Sequence, residues 1–158
     1  LESASVADTA GVRVVVSAAH VGAGAGGDDG HFFVYRVRVS NVSHAHAVQL
    51  RARHWVIDDA RGGRVEVPRG SPGVVGATPV LRPGGPAFEY MSGTELGTAR
   101  GTMSGSFEVV PVALKRETEP ENDGDDDPEL DWSAWPLDDV GEPFDAIVAP
   151  FSLAAREQ

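Results

Sequence analysis

Apolar and polar positions alternate along most of this chain with a period of two. Val12, Val14 and Val16 share one phase, with Arg13, Val15 and Ser17 in the other. Phe33, Tyr35, Val37 and Val39 alternate with Arg36, Arg38 and Ser40, the clearest run of the kind. Side chains two residues apart leave an extended chain on the same side, so each run predicts a strand with one buried face. Between Val48 and Ile57 the phase switches, with Leu50 and Ala52 in one register and Trp55 and Ile57 in the other. A bulge near Arg53, or burial on both faces, accounts for such a switch. Asp58 to Gly63 then closes a hairpin onto Arg64–Val67, and Pro83-Gly84-Gly85-Pro86 turns the chain into Phe88–Met91. Met103, Gly105, Phe107 and Val109 alternate with Ser104, Ser106 and Glu108, and Phe144–Val148 with Phe151–Leu153 supplies a last strand. Gly22 to Gly30 and Asn41 to Ala47 are expected as loop and turn. No internal repeat or long amphipathic helix interrupts the pattern. It predicts an all-β antiparallel sandwich of about seven to eight strands.

Composition adds to this in two places. With 158 residues, 41% of them apolar, the chain is expected to be one domain, residues 1–158, around a single core; 19 Gly and 11 Pro favour turns over helices. The net charge of −11 is confined to one stretch. Glu117 to Glu142 holds 12 acidic residues and neither Lys nor Arg, so the 24 acids less these 12 leave 12 against 13 bases. A body of net charge +1 is no nucleic-acid footprint. Cysteine is absent, which excludes disulfides and thiolate metal sites. No apolar run approaches the ~20 residues that span a bilayer, and the N-terminus lacks a signal-peptide pattern, so an intracellular setting is expected. The chain opens with Leu1 rather than Met, as expected of a processed form or a domain of a longer protein.

Several words in this order resemble the ApaG domain family. They are Phe33-x-Tyr35-x-Val37-x-Val39-x-Asn41, Gln49-Leu50, Arg53-His54-Trp55-x-Ile57-x-Asp59, Gly73-Val74-Val75-Gly76 with Pro79, Pro83-Gly84, Phe88-x-Tyr90-x-Ser92 and Gly101-x-Met103-x-Gly105, closed by the Phe144–Phe151 strand. The resemblance implies a fibronectin type III/immunoglobulin-like sandwich. Such domains stand alone in bacteria, with a link to cobalt and magnesium handling. In eukaryotes they end F-box subunits of ubiquitin ligases and a polymerase-delta-interacting protein. Two departures stand out. The family's Gly-x-Gly-x-x-Gly loop has one extra residue here, in Gly70-Ser71-Pro72-Gly73-Val74-Val75-Gly76, and about 28 residues separate the last two strands where the family has a short connection.

The glycine loop admits two readings. Glycine-rich loops cradle pyrophosphate when they open a helix, but here Ala77, Thr78, Pro79 and another strand follow, and Pro72 removes one N–H. A corner required by backbone geometry is the simpler reading. His44 and His46 are weak metal candidates, since two ligands do not make a site; His20, His31, Asp28 and Asp29 are at no fixed distance from them, and no metal or cofactor is expected. His54 is expected as an ordinary sandwich residue. No Ser lies in a nucleophile-elbow context, and Asp58-Asp59 and Asp138-Asp139 are neighbours that point apart in an extended chain.

The acidic stretch divides into an expected disordered part and an apolar end. Residues 117–142 are read as largely disordered, yet Leu130, Trp132, Trp135 and Leu137 are too apolar to stay wet. Asp127 and Pro128 suit the start of a short helical turn, ending before Pro136. The aromatic end is expected either to fold back on the sandwich or to serve as a docking motif. The acidic tether has the charge to lie over Arg51, Arg53 or Arg100, and the sequence leaves open whether it does. Together these features predict a non-enzymatic protein-interaction module with protein partners of unidentified kind, no nucleic acid and no membrane, and with a homodimer left open. In a ubiquitin ligase or similar assembly it would select substrates; the alternative is a pyrophosphate or nucleotide binder. The candidate surface is Gly70, Gly73, Val74, Val75 and Gly76 with Arg53 and Trp55, and the Thr94–Arg100 loop as neighbour.

Overall fold

The computed structural model describes residues 3–23, 30–43, 45–115 and 132–156. Two antiparallel sheets face each other across one apolar layer. The first has four strands: β1 (Ser3–Thr9), β2 (Val12–Ala23), β3 (His31–Asn41) and β7 (Phe88–Leu96), in the order β1-β2-β3-β7. The second has six. Its path is β10-β8-β4-β5, made of β4 (Ala47–Asp59), β5 (Arg64–Pro72), β8 (Arg100–Leu114) and β10 (Phe144–Ala154). The short strands β6 (Val80–Leu81) and β9 (Leu137–Asp139) pair with β4 and β8. The described residues thus form ten strands where about seven to eight were expected. β1 was missed because its apolar positions are only small Ala and Val residues. β6 and β9 are two and three residues long, below the reach of a period-two pattern.

The alternating runs bury the faces they predict. Val12, Val14 and Val16 from β2 meet Phe33, Tyr35, Val37 and Val39 from β3 in one cluster, with Leu50, Trp55, Met103, Phe107 and Val109 from the facing sheet. Trp55 is the hub of this layer: its ring lies 5.5 Å from Tyr35, 5.7 Å from Phe107 and 6.5 Å from Phe151. The phase switch in β4 is a bulge. Its register slips between Leu50 and Ala52 against β8, and between Arg53 and Trp55 against β5, which brings both Leu50 and Trp55 inward. At Gly105, opposite Trp55, a Cβ would stand 1.9 Å from the His54 carbonyl oxygen, so the central strands approach closely only because that residue is glycine.

One expectation about loops changes: Gly22 and Ala23 continue β2 rather than opening a loop. The expected last strand is Phe144–Ala154, with a register shift between Val148 and Phe151. Among the described residues no helix is long and apolar enough to cross a membrane.

The far end of the acidic stretch is ordered, against the expectation of disorder over 117–142. Residues 117–131, including the expected helix start at Asp127 and Pro128, lie outside the described residues. Trp132–Ala134 forms one 3-10 turn, and β9 then pairs with Val112–Leu114 of β8. Trp132 and Leu137 cover Ala47, Val110 and Val112, a second small apolar cluster on the outer face of the six-stranded sheet. Folding back is therefore the outcome for this aromatic segment.

Candidate functional site

The two sheets meet differently on their two sides. On one, β1 and β10 lie together, with Ile147 N donating to Thr9 Oγ1 at 3.1 Å. The other side is bounded by β5 and β7, and there a cleft of about 310 Å³ opens between the layers. Its lining comes from Tyr35, Tyr90 and Ser92 in the four-stranded sheet, Arg53, Trp55 and Val67 in the six-stranded sheet, and Val74, Val75 and Gly76.

The wall formed by the last three residues is a tight turn. Val74 N donates to Ala77 O at 2.8 Å and Ala77 N to Val74 O at 2.9 Å, with Val75 and Gly76 both at positive φ, 45° and 78°. Glycine takes this geometry freely, whereas a β-branched residue at positive φ carries strain of about 1–3 kcal/mol. Val74 is fully buried and anchors the turn in the core, while Val75 at the tip is 57% exposed. A strained, exposed apolar residue at the lip of a cleft is held there by its surroundings, not by its own preference.

Arg53 fixes the base of the same turn. Its Nη1 donates to Pro72 O at 2.6 Å and to Gly73 O at 3.1 Å, while Gly73 N donates back to Arg51 O at 2.8 Å. Across the cleft, burial pushes the Tyr90 phenol well above its ordinary value, with the Tyr35 phenol adding to the shift and Arg53 opposing it. Tyr90 therefore stays a neutral hydrogen-bond donor throughout the physiological range.

Five of the residues expected from the sequence line this cleft: Arg53, Trp55, Val74, Val75 and Gly76. Gly70 and Gly73 do not; both hold positive φ, Gly70 inside the extended β5 and Gly73 at the entry to the turn. The Thr94–Arg100 segment is not at the lining: Thr94–Leu96 continues β7. Tyr35, Val67, Tyr90 and Ser92 went unrecognised. The available signal was a pair of tyrosines in the inward phase of two strands, since a buried phenol requires a polar outlet.

The histidines lie elsewhere. His54 Nε2 sits 2.9 Å from Glu66 Oε1, a side-chain contact between β4 and β5. His44 lies outside the described residues, and His46 is exposed, with its carbonyl accepting from Asn41 Nδ2 at 2.8 Å. Among the described residues no three His, Asp or Glu side chains come together as a metal-binding group.

Comparison with known proteins agrees with this architecture. Residues 25–111 match the model of the ApaG domain. A Methylobacterium nodulans Protein ApaG is 45% identical over 148 residues, 93% of this chain and 90% of its own length. The Xanthobacter autotrophicus Protein ApaG is 45% identical over 103 residues, 65% of this chain and 76% of that one, and some other relatives match over about three fifths of their length. A crystal structure of a Bordetella pertussis protein described as ApaA superposes with a TM-score of 0.66 at 32% identity, covering 93% of this chain and 95% of the other. The family model spans more than half of the chain and the Methylobacterium protein nearly all of it, and so the chain belongs to the ApaG domain family.

Proposed function

We propose that this chain is a non-catalytic protein-recognition module and that its contact site is the cleft between the glycine turn and β7. The observation that carries this reading is the character of the lining. Tyr35, Trp55 and Tyr90 supply aromatic surface, the Tyr90 phenol stays neutral, and the Arg53 guanidinium is turned back onto two loop carbonyls. Such a wall suits an apolar or hydrogen-bonding side chain of another protein better than a charged small molecule.

A pyrophosphate or nucleotide requires the opposite arrangement. An anion cradle needs free loop N–H groups pointing at the ligand. Here the N–H groups of Gly73, Val74 and Ala77 are donated to backbone carbonyls, and Pro72 has none. A setting inside a ubiquitin ligase would use the same cleft; the bacterial relatives lend it no particular support.

Crosslinking and affinity capture with the wild type, Gly73→Ala and Tyr90→Phe test the proposal, alongside calorimetry with pyrophosphate, ATP and a dinucleoside polyphosphate. Partners held by the wild type and lost by both variants, with no heat from the phosphates, are expected. Partners retained equally by both variants, or micromolar binding of pyrophosphate, would overturn it.

A further inference from the structure

The edges of the two sheets are guarded unequally. β1 and β10 shield one another along the closed side, where Ser3 Oγ donates to the Ser152 carbonyl and Thr9 accepts from Ile147 N. β5 carries Pro68 and Pro72 and a register shift against β4. β7 has none of these devices. Its nine residues contain no Pro and no Lys, and it runs in unbroken register with β3 from Phe88 to Leu96. Among the described residues, no backbone hydrogen bond joins it to any segment but β3. Every second residue of such a strand holds its N–H and C=O outward along the edge away from β3. Natural sheets blunt or cover long edges because they template the addition of another strand.

We infer that β7 receives an extended segment of a partner protein as a fifth strand of the four-stranded sheet, with one side chain of that segment entering the cleft under the glycine turn. The inference rests on the recognition reading above and specifies its partner. The two faces of β7 describe the segment that fits. Glu89, Met91, Gly93 and Glu95 point outward and Phe88, Tyr90, Ser92 and Thr94 inward. Residues directly opposite on a neighbouring strand lie about 4.5–5.5 Å apart, close enough for opposite charges to favour pairing. Basic side chains opposite Glu89 and Glu95, and an apolar or aromatic residue between them on the other face, complement the strand. Glu89 meets Arg38 only at 3.7 Å, with both side chains more than half exposed, so an added cation can share that carboxylate.

A second copy of this chain fits less well. Two β7 strands paired antiparallel over their full length about a two-fold axis set Glu89 of each copy opposite Glu95 of the other. Like charges directly opposite oppose the pairing.

The test uses the full chain and a synthetic nine-residue peptide with Lys at its second and eighth positions, Thr between them on that face, and on the other face Phe at the fifth position and Val at the remaining odd ones. Amide exchange and NMR titration should show protection gathered on β7. Glu89→Lys with Glu95→Lys should weaken the peptide by about tenfold or more, and a peptide with Glu in place of Lys should recover the loss. Protection elsewhere, no binding by either peptide, or concentration-dependent protection of β7 without peptide would overturn the inference. If partners still depend on Gly73 and Tyr90 in that event, recognition stands and strand addition alone falls. Loss of both results would sink both readings.

Discussion

Arg51 on β4 and Asp139 on β9, 88 residues apart, form a two-pronged ion pair, with Nη1 donating to Oδ2 at 3.1 Å and Nη2 to Oδ1 at 2.5 Å. This pair fastens the end of the acidic stretch across the outer face of the six-stranded sheet. Lys115 lies 3.8 Å from Asp138 at the next position. Between these anchors and the sheet, Trp132 and Leu137 close over Val110 and Val112, and the Arg82 guanidinium sits 5.4 Å from the Trp132 ring centroid. Arg51 thus pairs with the described end of the acidic stretch; residues 117–131, which the sequence reading set against Arg51, Arg53 or Arg100, lie outside the described residues.

The first prediction concerns acid. The hydrogen bond from Arg51 holds the Asp139 carboxyl below its usual range, with the Arg51 charge reinforcing it and desolvation opposing. A carboxylate with a lowered native pKa contributes stability that is complete above its unfolded value, about 3.9, and is lost as pH falls through the native value. Both partners are substantially exposed, so the contribution is small and weakens with salt. Acidification below that range should therefore raise amide exchange at Leu137–Asp139 before the sandwich unfolds. Arg51→Ala should show the raised exchange already at neutral pH and lose its dependence on acid.

Trp132 and Trp55 should behave differently when truncated. Trp55 is 3% exposed at the centre of the core, and Trp55→Ala is expected to cost about 3–5 kcal/mol. Trp132 covers a small outer cluster, and among the described residues its buried Nε1 has no hydrogen-bond partner. The unsatisfied donor offsets part of the apolar gain, so Trp132→Ala should cost about 1 kcal/mol or less. Urea denaturation of the two variants checks the ordering.

Gly105→Ala should be disruptive despite adding one carbon. The added Cβ would fall on the His54 carbonyl in the middle of the sheet, and the strands must part to admit it, at about 3 kcal/mol or more. Gly97→Ala is the control: a Cβ there meets nothing within 4 Å, and its stability should match the wild type. Thermal melts of both variants provide the comparison.

Val75→Gly removes an exposed side chain and the strain of its positive φ. The relief, about 1–2 kcal/mol, is partly offset by the greater unfolded-state freedom of glycine. Chemical denaturation should show stability unchanged or raised by up to about 1 kcal/mol, while capture of protein partners weakens because one wall of the cleft is gone. A clear loss of stability would show that the valine side chain holds the turn.

The chain has two tyrosines, which makes Tyr90 accessible to ultraviolet titration. Burial raises its phenol, so it should stay protonated beyond the ordinary range of a tyrosine while the protein stays folded. A phenol raised in the native state withdraws stability above its unfolded value near pH 10, because the unfolded chain then loses the proton first. Tyr90→Phe should remove this alkaline loss of stability and leave the neutral-pH stability nearly unchanged.

Legibility followed the physics of each element. β2, β3 and the body of β8 were readable because one face is buried against the opposite sheet and the other faces solvent, which writes a period of two into the residues. The bulge in β4 was readable for the same reason: Leu50 and Trp55 cannot share a face without an extra residue between them. β1 was not readable, because it is a half-exposed edge with no large side chain, and β9 was not, because three residues carry no period.

The candidate cleft was legible in half. The glycine turn announced itself through Gly73-Val74-Val75-Gly76, and Trp55 through its size. Tyr90 and Ser92 read as one more strand, since nothing local distinguishes an edge strand with a free side from an inner one.

The residues by themselves determined the antiparallel pairing, the inward set of Val, Phe and Tyr, and the family to which the chain belongs. These depend on neighbours two and three positions apart, and on turn residues whose φ values few side chains tolerate. Only the tertiary structure decided which sheet edges close on each other, that the cleft opens between β5 and β7, and that Asp139 reaches Arg51. Those relationships join segments dozens of residues apart, and they follow from strand order and sheet twist, which no local pattern encodes.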